Sequence, residues 1–377
     1  MKSVLIFTLF LPVFLFGQVL TNSSNLDISK TWSQEPQGWT YNIDISVPSE
    51  EAPSNGFPVC ILLHGNNGTG SQFLNDFLPT IPCHILLSPS GYMKSWNICD
   101  EDSDAPDVEM IDELINSLAP FTNVDTSKIR FLGFSNGSSL ANRIFVENNN
   151  PNIDKICAVV SQLTDMQSHN QNFYGPSGET DPSLPFCGYD DIKTPITGRH
   201  YLNICNTNDP IIPYEGGPAV GAIFVPSKDA IYEVAKSQGY TGSKIEGDGE
   251  EINSTGVFEY SYLSNQVVHL RGDAEHGLNE TQKNYICNFF SCNCPLTGTL
   301  ENNNDEITIF PNPVNNILTI GGINEPTAIT VLDVRGRIVI NEQLSIGNIN
   351  VSNLISGIYC VKIKTNRGLI TKEFFKQ

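Results

Sequence analysis

The chain has 377 residues, 40% of them hydrophobic, which is enough to bury the cores of one large globular unit and one small one. Its formal net charge is −20, and because cations and anions balance after Pro295, the acidity belongs to the larger N-terminal part. Such a body repels phosphate backbones and anionic bilayers, so neither nucleic acid nor a membrane surface is expected as a partner.

Residues 1–17 combine an early Lys2 with an apolar run and a small residue, Gly17, the pattern of a cleavable secretory signal. The run is too short to favour a membrane span, and no later segment supplies enough consecutive apolar residues for one. An exported chain with ten cysteines is expected to form disulfides. Cys292 and Cys294, in "CNC", lack the second pair and the histidine that a zinc site needs, so no zinc site is expected from the cysteines.

Residues 18–294 read as alternating strands and helices. "TYNIDISVP", "PVCILLHG" and "CHILLSPSG" are strand-like, and "DVEMIDELINSLAPF" places Val108, Ile111, Leu114, Ile115 and Leu118 on one helical face behind Pro106. There follow the strand "KIRFLGFS", a helix opening at Asn136, the strands "KICAVVSQL" and "RHYLNICNTND", the helix "SKDAIYEVAKSQG" and the strand "QVVHLRGDAEH". The alternation predicts an α/β fold: a mostly parallel sheet covered by helices on both faces, with functional groups at the carboxyl ends of its strands.

At one such end stands "GFSNG", residues 133–137. A serine on a sharp strand-to-helix turn needs neighbours without side chains, and Gly133 and Gly137 supply them. The turn raises the Ser135 hydroxyl above the sheet and directs the Asn136 N–H to where a tetrahedral oxyanion would form. A serine hydroxyl needs an imidazole to take its proton and a carboxylate to orient that imidazole. Of six histidines, His200 and His269 lie inside strand-like runs that suit a core role, His84 begins one, His169 sits in a polar stretch and His64 belongs to the "LLHGNNGTG" turn. His276, in a loop after the last apolar strand, is the candidate base. Asp209, which ends its strand before Pro210, is the candidate acid. Asp165 is its main rival, and Asp273 and Glu275 are close to His276 in sequence. The second oxyanion donor is expected from the N–H of Asn66. The same Gly- and Asn-rich turn lacks the Lys and the terminal Ser or Thr of a phosphate loop.

Between Asp165 and Pro195, Phe173, Tyr174, Phe186, Cys187 and Tyr189 fall where a lid or substrate wall is expected, and with Trp96 they are available to stack on an aromatic or sugar group. The candidate substrate contacts are Trp96, Phe173, Tyr174 and Tyr189. Packing of the insertion alone is the alternative.

Past the Asn-rich linker 295–305, residues 306–377 change to short β-type runs: "ILTI", "AITVLDV", "RIVINEQ", "GIYCVKIKT" and "ITKEFFK". A small all-β module, a β-sandwich, is expected, with Cys360 as a small buried hydrophobe and no Trp to form a sugar platform. "IFPNPVNNILTI", "VLDVRGRIV", "INVSNLISGIYCVKI" and "KEFFKQ" resemble the C-terminal sorting domain of the type IX secretion system of Bacteroidetes bacteria. That resemblance implies export through the outer membrane by the type IX machinery, to the medium or the cell surface, and usually removal of the module.

From about Gln37 to Cys292, "VCILLHG", "PSGYMKSWN", "DAPDVEMIDELI", "VDTSKIRFLGFSNGSSLANRI", "CNTNDPIIPYEGG" and "AEHGLN" resemble the secreted α/β-hydrolases grouped as polyhydroxybutyrate depolymerases and feruloyl or acetyl xylan esterases. The resemblance implies a serine esterase with Ser135, Asp209 and His276 as its triad and no cofactor. The implied substrate is an ester of plant cell-wall polysaccharide, or else a hydroxyalkanoate polyester. The chain departs from the family in having Asn66 where a Cys is frequent, Ser138 and Ser139 for a Gly pair, and Trp96 alone of an aromatic cluster. The alternative outside enzymology is a surface-binding protein that keeps the fold.

Overall fold

The computed structural model describes residues 17–291 together with 308–321, 327–333, 337–344, 347–365 and 368–377. The expected signal segment, apart from Gly17, and the expected linker lie outside the described residues. By its internal contacts the chain divides into two compact units, Met1–Cys294 and Pro295–Gln377.

The larger unit is built on a nine-stranded sheet. In chain order its strands are β1 (Ile43–Ser46), β2 (Phe57–Leu63), β3 (Ile85–Pro89), β4 (Val124–Phe134), β5 (Ile153–Val159), β6 (His200–Asn206), β7 (Glu250–Glu251), β8 (Phe258–Tyr262) and β9 (Val267–Gly272). They lie side by side as β7-β8-β9-β6-β5-β4-β2-β3-β1. β9, β6, β5, β4, β2 and β3 are parallel, while each edge pairing is antiparallel: β1 with β3 at one edge, β8 with β9 and β7 with β8 at the other. The central strands read as unbroken apolar runs, "CILL" and "ICAV" among them, because both of their faces are covered. One face buries Val59, Ile61, Phe131 and Ile156 against α2 (Asp107–Ser117) and α3 (Asn136–Glu147); the other buries Leu62, Leu132, Cys157 and Leu270. That second cluster includes residues of α1 (Gly70–Phe77) and α5 (Glu280–Phe290), and α4 (Ser227–Ser237) completes the first.

Several elements were not expected, among them α5, β7, β8, α1 and a sheet in the insertion after β5. α1 forms in "GSQFLNDF", with Thr69 capping its N-terminus through Gln72 N–H and Phe73, Leu74 and Phe77 buried; eight residues carry little periodicity. The insertion after β5 forms a three-stranded sheet from Ser168–His169, Asn172–Pro176 and Tyr189–Lys193, which is a folded wall and not a loose lid. Cys99 is disulfide-bonded to Cys187 of that wall, and Cys83 is disulfide-bonded as well. Among the described residues no helix is long and apolar enough to cross a membrane.

The smaller unit is antiparallel β structure. β10 (Thr308–Phe310), β11 (Ile317–Gly321) and β14 (Asn348–Asn350) form one sheet; β12 (Thr327–Asp333), β13 (Ile338–Leu344), β15 (Gly357–Thr365) and β16 (Gly368–Lys376) form another. Alternate residues, Leu318 and Ile320, Ile329 and Val331, Val361 and Ile363, meet in one core. Cys360 corrects the expectation of burial. It points from the opposite side of β15 to Val361 and is only half-buried.

Candidate active site

Ser135 occupies the turn between β4 and α3 with φ 55° and ψ −118°, a conformation strained for any residue with a side chain. Its own backbone holds it there. The Ser135 N–H donates to Val159 O (2.9 Å), and Ser135 O accepts from the N–H groups of Ser138 (2.8 Å) and Ser139 (3.1 Å). The flanking glycines are explained by contact: a Cβ on Gly133 would stand 2.1 Å from Gly137 O, and one on Gly137 would stand 2.1 Å from Leu63 O.

Asp209 and His276 reach Ser135 from the loops after β6 and β9. The His276 Nδ1–H donates to Asp209 Oδ2 (2.8 Å), and the Ser135 hydroxyl donates to His276 Nε2 (2.9 Å). Asp209 Oδ1 accepts from the N–H groups of Ile211 (2.8 Å) and Ile212 (3.0 Å), so the carboxylate is fixed at both oxygens, and its side chain is only 2% exposed. The histidine loop is clamped by amide side chains. Asn206 Nδ2 donates to Glu275 O and Gly277 O, Asn208 Nδ2 donates to Asp273 O, and Gln282 Nε2 donates to Asn206 Oδ1. The carboxylate bonded to His276 is that of Asp209; the rivals enter through their backbones, Asp165 O bonded to the His169 ring and Glu275 O and Asp273 O to the amides of Asn206 and Asn208.

On the other side of Ser135 the turn after β2 carries Asn66. It is shaped by His64, which is buried and accepts the Gly91 N–H at Nε2 (3.0 Å) while its Nδ1–H donates to Gly65 O (2.8 Å). Burial lowers the pKa of this imidazole, which keeps it neutral and in one tautomer. Trp96 donates its indole N–H to His64 O (2.7 Å). Asn136, first residue of α3, has no intrahelical acceptor for its N–H. Asn66 and Asn136 both line the cleft. His269 meets the expectation of a core role, buried between Tyr214 Oη and Asn203 Oδ1, where desolvation pushes it down to about 3.

The cleft over Ser135 has a volume of about 630 Å³. None of the four expected aromatic contacts lines it. Trp96 is fully buried beneath the Asn66 turn, Phe173 packs on Phe145 in the core, and Tyr189 is buried with its hydroxyl donating to Ile98 O (2.9 Å). Tyr174 stacks on His169 (3.9 Å), whose ring also stacks on Phe186 (4.0 Å). The insertion's aromatics therefore pack the wall. The lining that sequence reasoning missed is aliphatic, with Met93, Ile211 and Val220 exposed, and acidic, with Asp100, Glu101 and Asp102. The signal for the acids was the run "CDED" directly after "WNI"; it resembled ordinary solvated charge.

Strand order, the elbow after β4, and Ser135, Asp209 and His276 in that order along the chain form the arrangement of an α/β-hydrolase. Residues 308–377 match the family described as secretion system C-terminal sorting domain. The chain is thus addressed for export across the outer membrane, to the cell surface or the medium, and the module implies contact with the type IX machinery. No curated protein matches the chain. Among solved structures, the acetyl xylan esterase from Aspergillus awamori is similar at 12% identity and TM-score 0.46, covering 67% of this chain and 94% of its own. The Bacillus cereus carboxylesterase is similar at 12% identity and TM-score 0.42, covering 67% and 93%. A phospholipase/carboxylesterase from Dyadobacter fermentans is similar at 12% identity and TM-score 0.37, covering 73% and 100%.

Proposed function

We propose that residues 18–294 are a serine hydrolase of carboxylic esters. The observation that carries this reading is the hydrogen-bonded line from Asp209 through His276 to Ser135, set on a strained elbow beside an open cleft. Ser135 Oγ attacks the ester carbonyl carbon as its proton passes to His276 Nε2, and Asp209 stabilises the imidazolium through Nδ1–H. The N–H groups of Asn66 and Asn136 receive the oxyanion, each such donor contributing about 3 kcal/mol to the transition state. Collapse breaks the bond to the alcohol oxygen, which takes the proton from His276. Water then gives a proton to His276, attacks the acyl-serine and releases the acid, and Ser135 recovers its proton.

For the substrate, we propose a feruloyl or acetyl ester of plant cell-wall polysaccharide. Export supports an extracellular polymer, and Asp100 and Asp102 offer acceptors to sugar hydroxyls along the cleft. A hydroxyalkanoate polyester is the second reading, favoured by the exposed aliphatic side chains of Met93, Ile211 and Val220.

The test is hydrolysis of methyl ferulate, acetylated xylan and a polyhydroxybutyrate film by the chain without its signal, beside Ser135→Ala, together with labelling by a fluorophosphonate. Ser135-dependent turnover of the feruloyl or acetyl ester supports the first reading, and turnover of the film alone supports the second. No labelling and no turnover would leave a binding protein built on a hydrolase fold.

A further inference from the structure

Glu101 takes no part in the mechanism above, yet it lines the same cleft and is tied to the residue after the nucleophile. Its Oε1 accepts a hydrogen bond from Asn136 Nδ2 (3.0 Å), and its Oε2 accepts the N–H groups of Ile98 (3.0 Å) and Cys99 (2.7 Å). The Asn136 side chain is held from two further directions: its Oδ1 accepts the Trp96 N–H (2.7 Å), and its Nδ2 also donates to Trp96 O (3.1 Å). We propose that Glu101 is a positioning residue that locks the Asn136 side chain, and through it the peptide between Ser135 and Asn136 whose N–H meets the oxyanion. This rests on the serine hydrolase reading and assigns that reading a further residue.

The donor and acceptor count explains why a carboxylate stands here. Three N–H groups converge on the two oxygens, so both must accept. An ionised carboxylate does so, whereas an amide turns one end into a donor facing another donor, whichever way it is flipped. Such a conflict leaves a buried donor without an acceptor, which is unfavourable enough to displace the side chains involved. Holding the charge carries its own cost, since desolvation raises the Glu101 pKa, opposed by the backbone N–H groups and by Arg143. Among the described residues no ion pair involves Glu101, so the hydrogen-bond donors carry most of the compensation. The segment bearing it is also anchored covalently, because Cys99, which donates to Glu101, is joined to Cys187.

The experiment compares wild type, Ser135→Ala, Glu101→Gln, Glu101→Asp, Asn136→Ala and the double variant Glu101→Gln/Asn136→Ala. It uses the chain without its signal, with p-nitrophenyl acetate as probe and circular dichroism as the check of folding. Glu101→Gln is expected to lower kcat by about 10- to 100-fold, the scale of a slightly misplaced group, with KM within about twofold. Glu101→Asp, which keeps two accepting oxygens, is expected to recover part of the loss and also serves if Glu101→Gln fails to fold. In the Asn136→Ala background, Glu101→Gln is expected to add little. Wild-type kcat in Glu101→Gln, a change in KM alone, or full additivity with Asn136→Ala would overturn the proposal while leaving the hydrolase reading intact. Inactive wild type, or activity that survives Ser135→Ala, overturns that reading and the proposal with it.

Discussion

The two flanks of Ser135 are held by different means. On the His276 flank, neighbouring loops are laced together by the amide side chains of Asn206 and Asn208 acting on backbone carbonyls, with Gln282 bracing the Asn206 amide. On the flank of Asn66 and Asn136, the proposed oxyanion flank, the holding is done by buried side chains and a covalent bond: His64 and Trp96 beneath the Asn66 turn, Glu101 against Asn136, and a disulfide from Cys99 to the insertion. The first flank fixes side-chain chemistry through short motifs, the second fixes backbone N–H groups through packing. Damage to the first should therefore be local and chemical; damage to the second should be graded.

The largest effect is expected at the proposed line of proton transfer. Ser135→Ala should lower kcat by a factor of about 10⁶ and Asp209→Asn by about 10⁴, with folding unchanged by circular dichroism. Next, Asn206→Ala removes donors to Glu275 O and Gly277 O and should lower kcat roughly tenfold and stability by about 1–3 kcal/mol in urea titrations. If kcat instead holds while stability drops, the histidine loop is positioned by something other than these amides. Reduction of Cys99–Cys187 releases the oxyanion flank from the wall and should lower kcat several-fold, about 1 kcal/mol of transition-state stabilisation. A rate unchanged by reducing agent, with the bond shown to be cleaved by mass spectrometry, would leave packing alone as the anchor.

The smallest effect is a slope. Asp107 lies under the oxyanion flank, accepting from the Asn97 N–H and the Tyr41 hydroxyl, and burial raises its carboxyl from 3.8 to about 7. Between these values the folded protein keeps a proton that the unfolded chain has lost, so this share of stability is full below the lower value and falls as pH rises through the upper one. Asp107→Asn cannot titrate and should flatten the decline in Tm between pH 4 and pH 7. An identical slope in the variant would show that Asp107 is ionised throughout.

How much of this was legible in the sequence follows the same division. The parallel sheet could be read because its strands are apolar runs between amphipathic helices, and Ser135, Asp209 and His276 because each ends a strand in a short pattern with a mechanical meaning. α1 was missed since eight residues hold barely two turns of periodicity, and the small sheet of the insertion because its strands are as short as two residues. The cleft wall was misread for a physical reason. Trp96, Phe173 and Tyr189 are large enough to bury much apolar surface, and in this chain the core takes them, leaving Met93, Ile211 and Val220 to face the cleft. Glu101 was invisible because nothing in "CDED" tells a carboxylate gripped by three N–H groups from one dissolved in water.

The backbone of Ser135 has a consequence for directed evolution. Glycine adopts its positive φ freely, so Ser135→Gly should give a protein that resists unfolding better than the parent by about 1 kcal/mol while destroying the chemistry. A library screened for thermal tolerance alone would be drawn towards that dead end, and one screened for turnover would have to gain its robustness at other positions. At residue 135 heat tolerance and turnover are rival objectives.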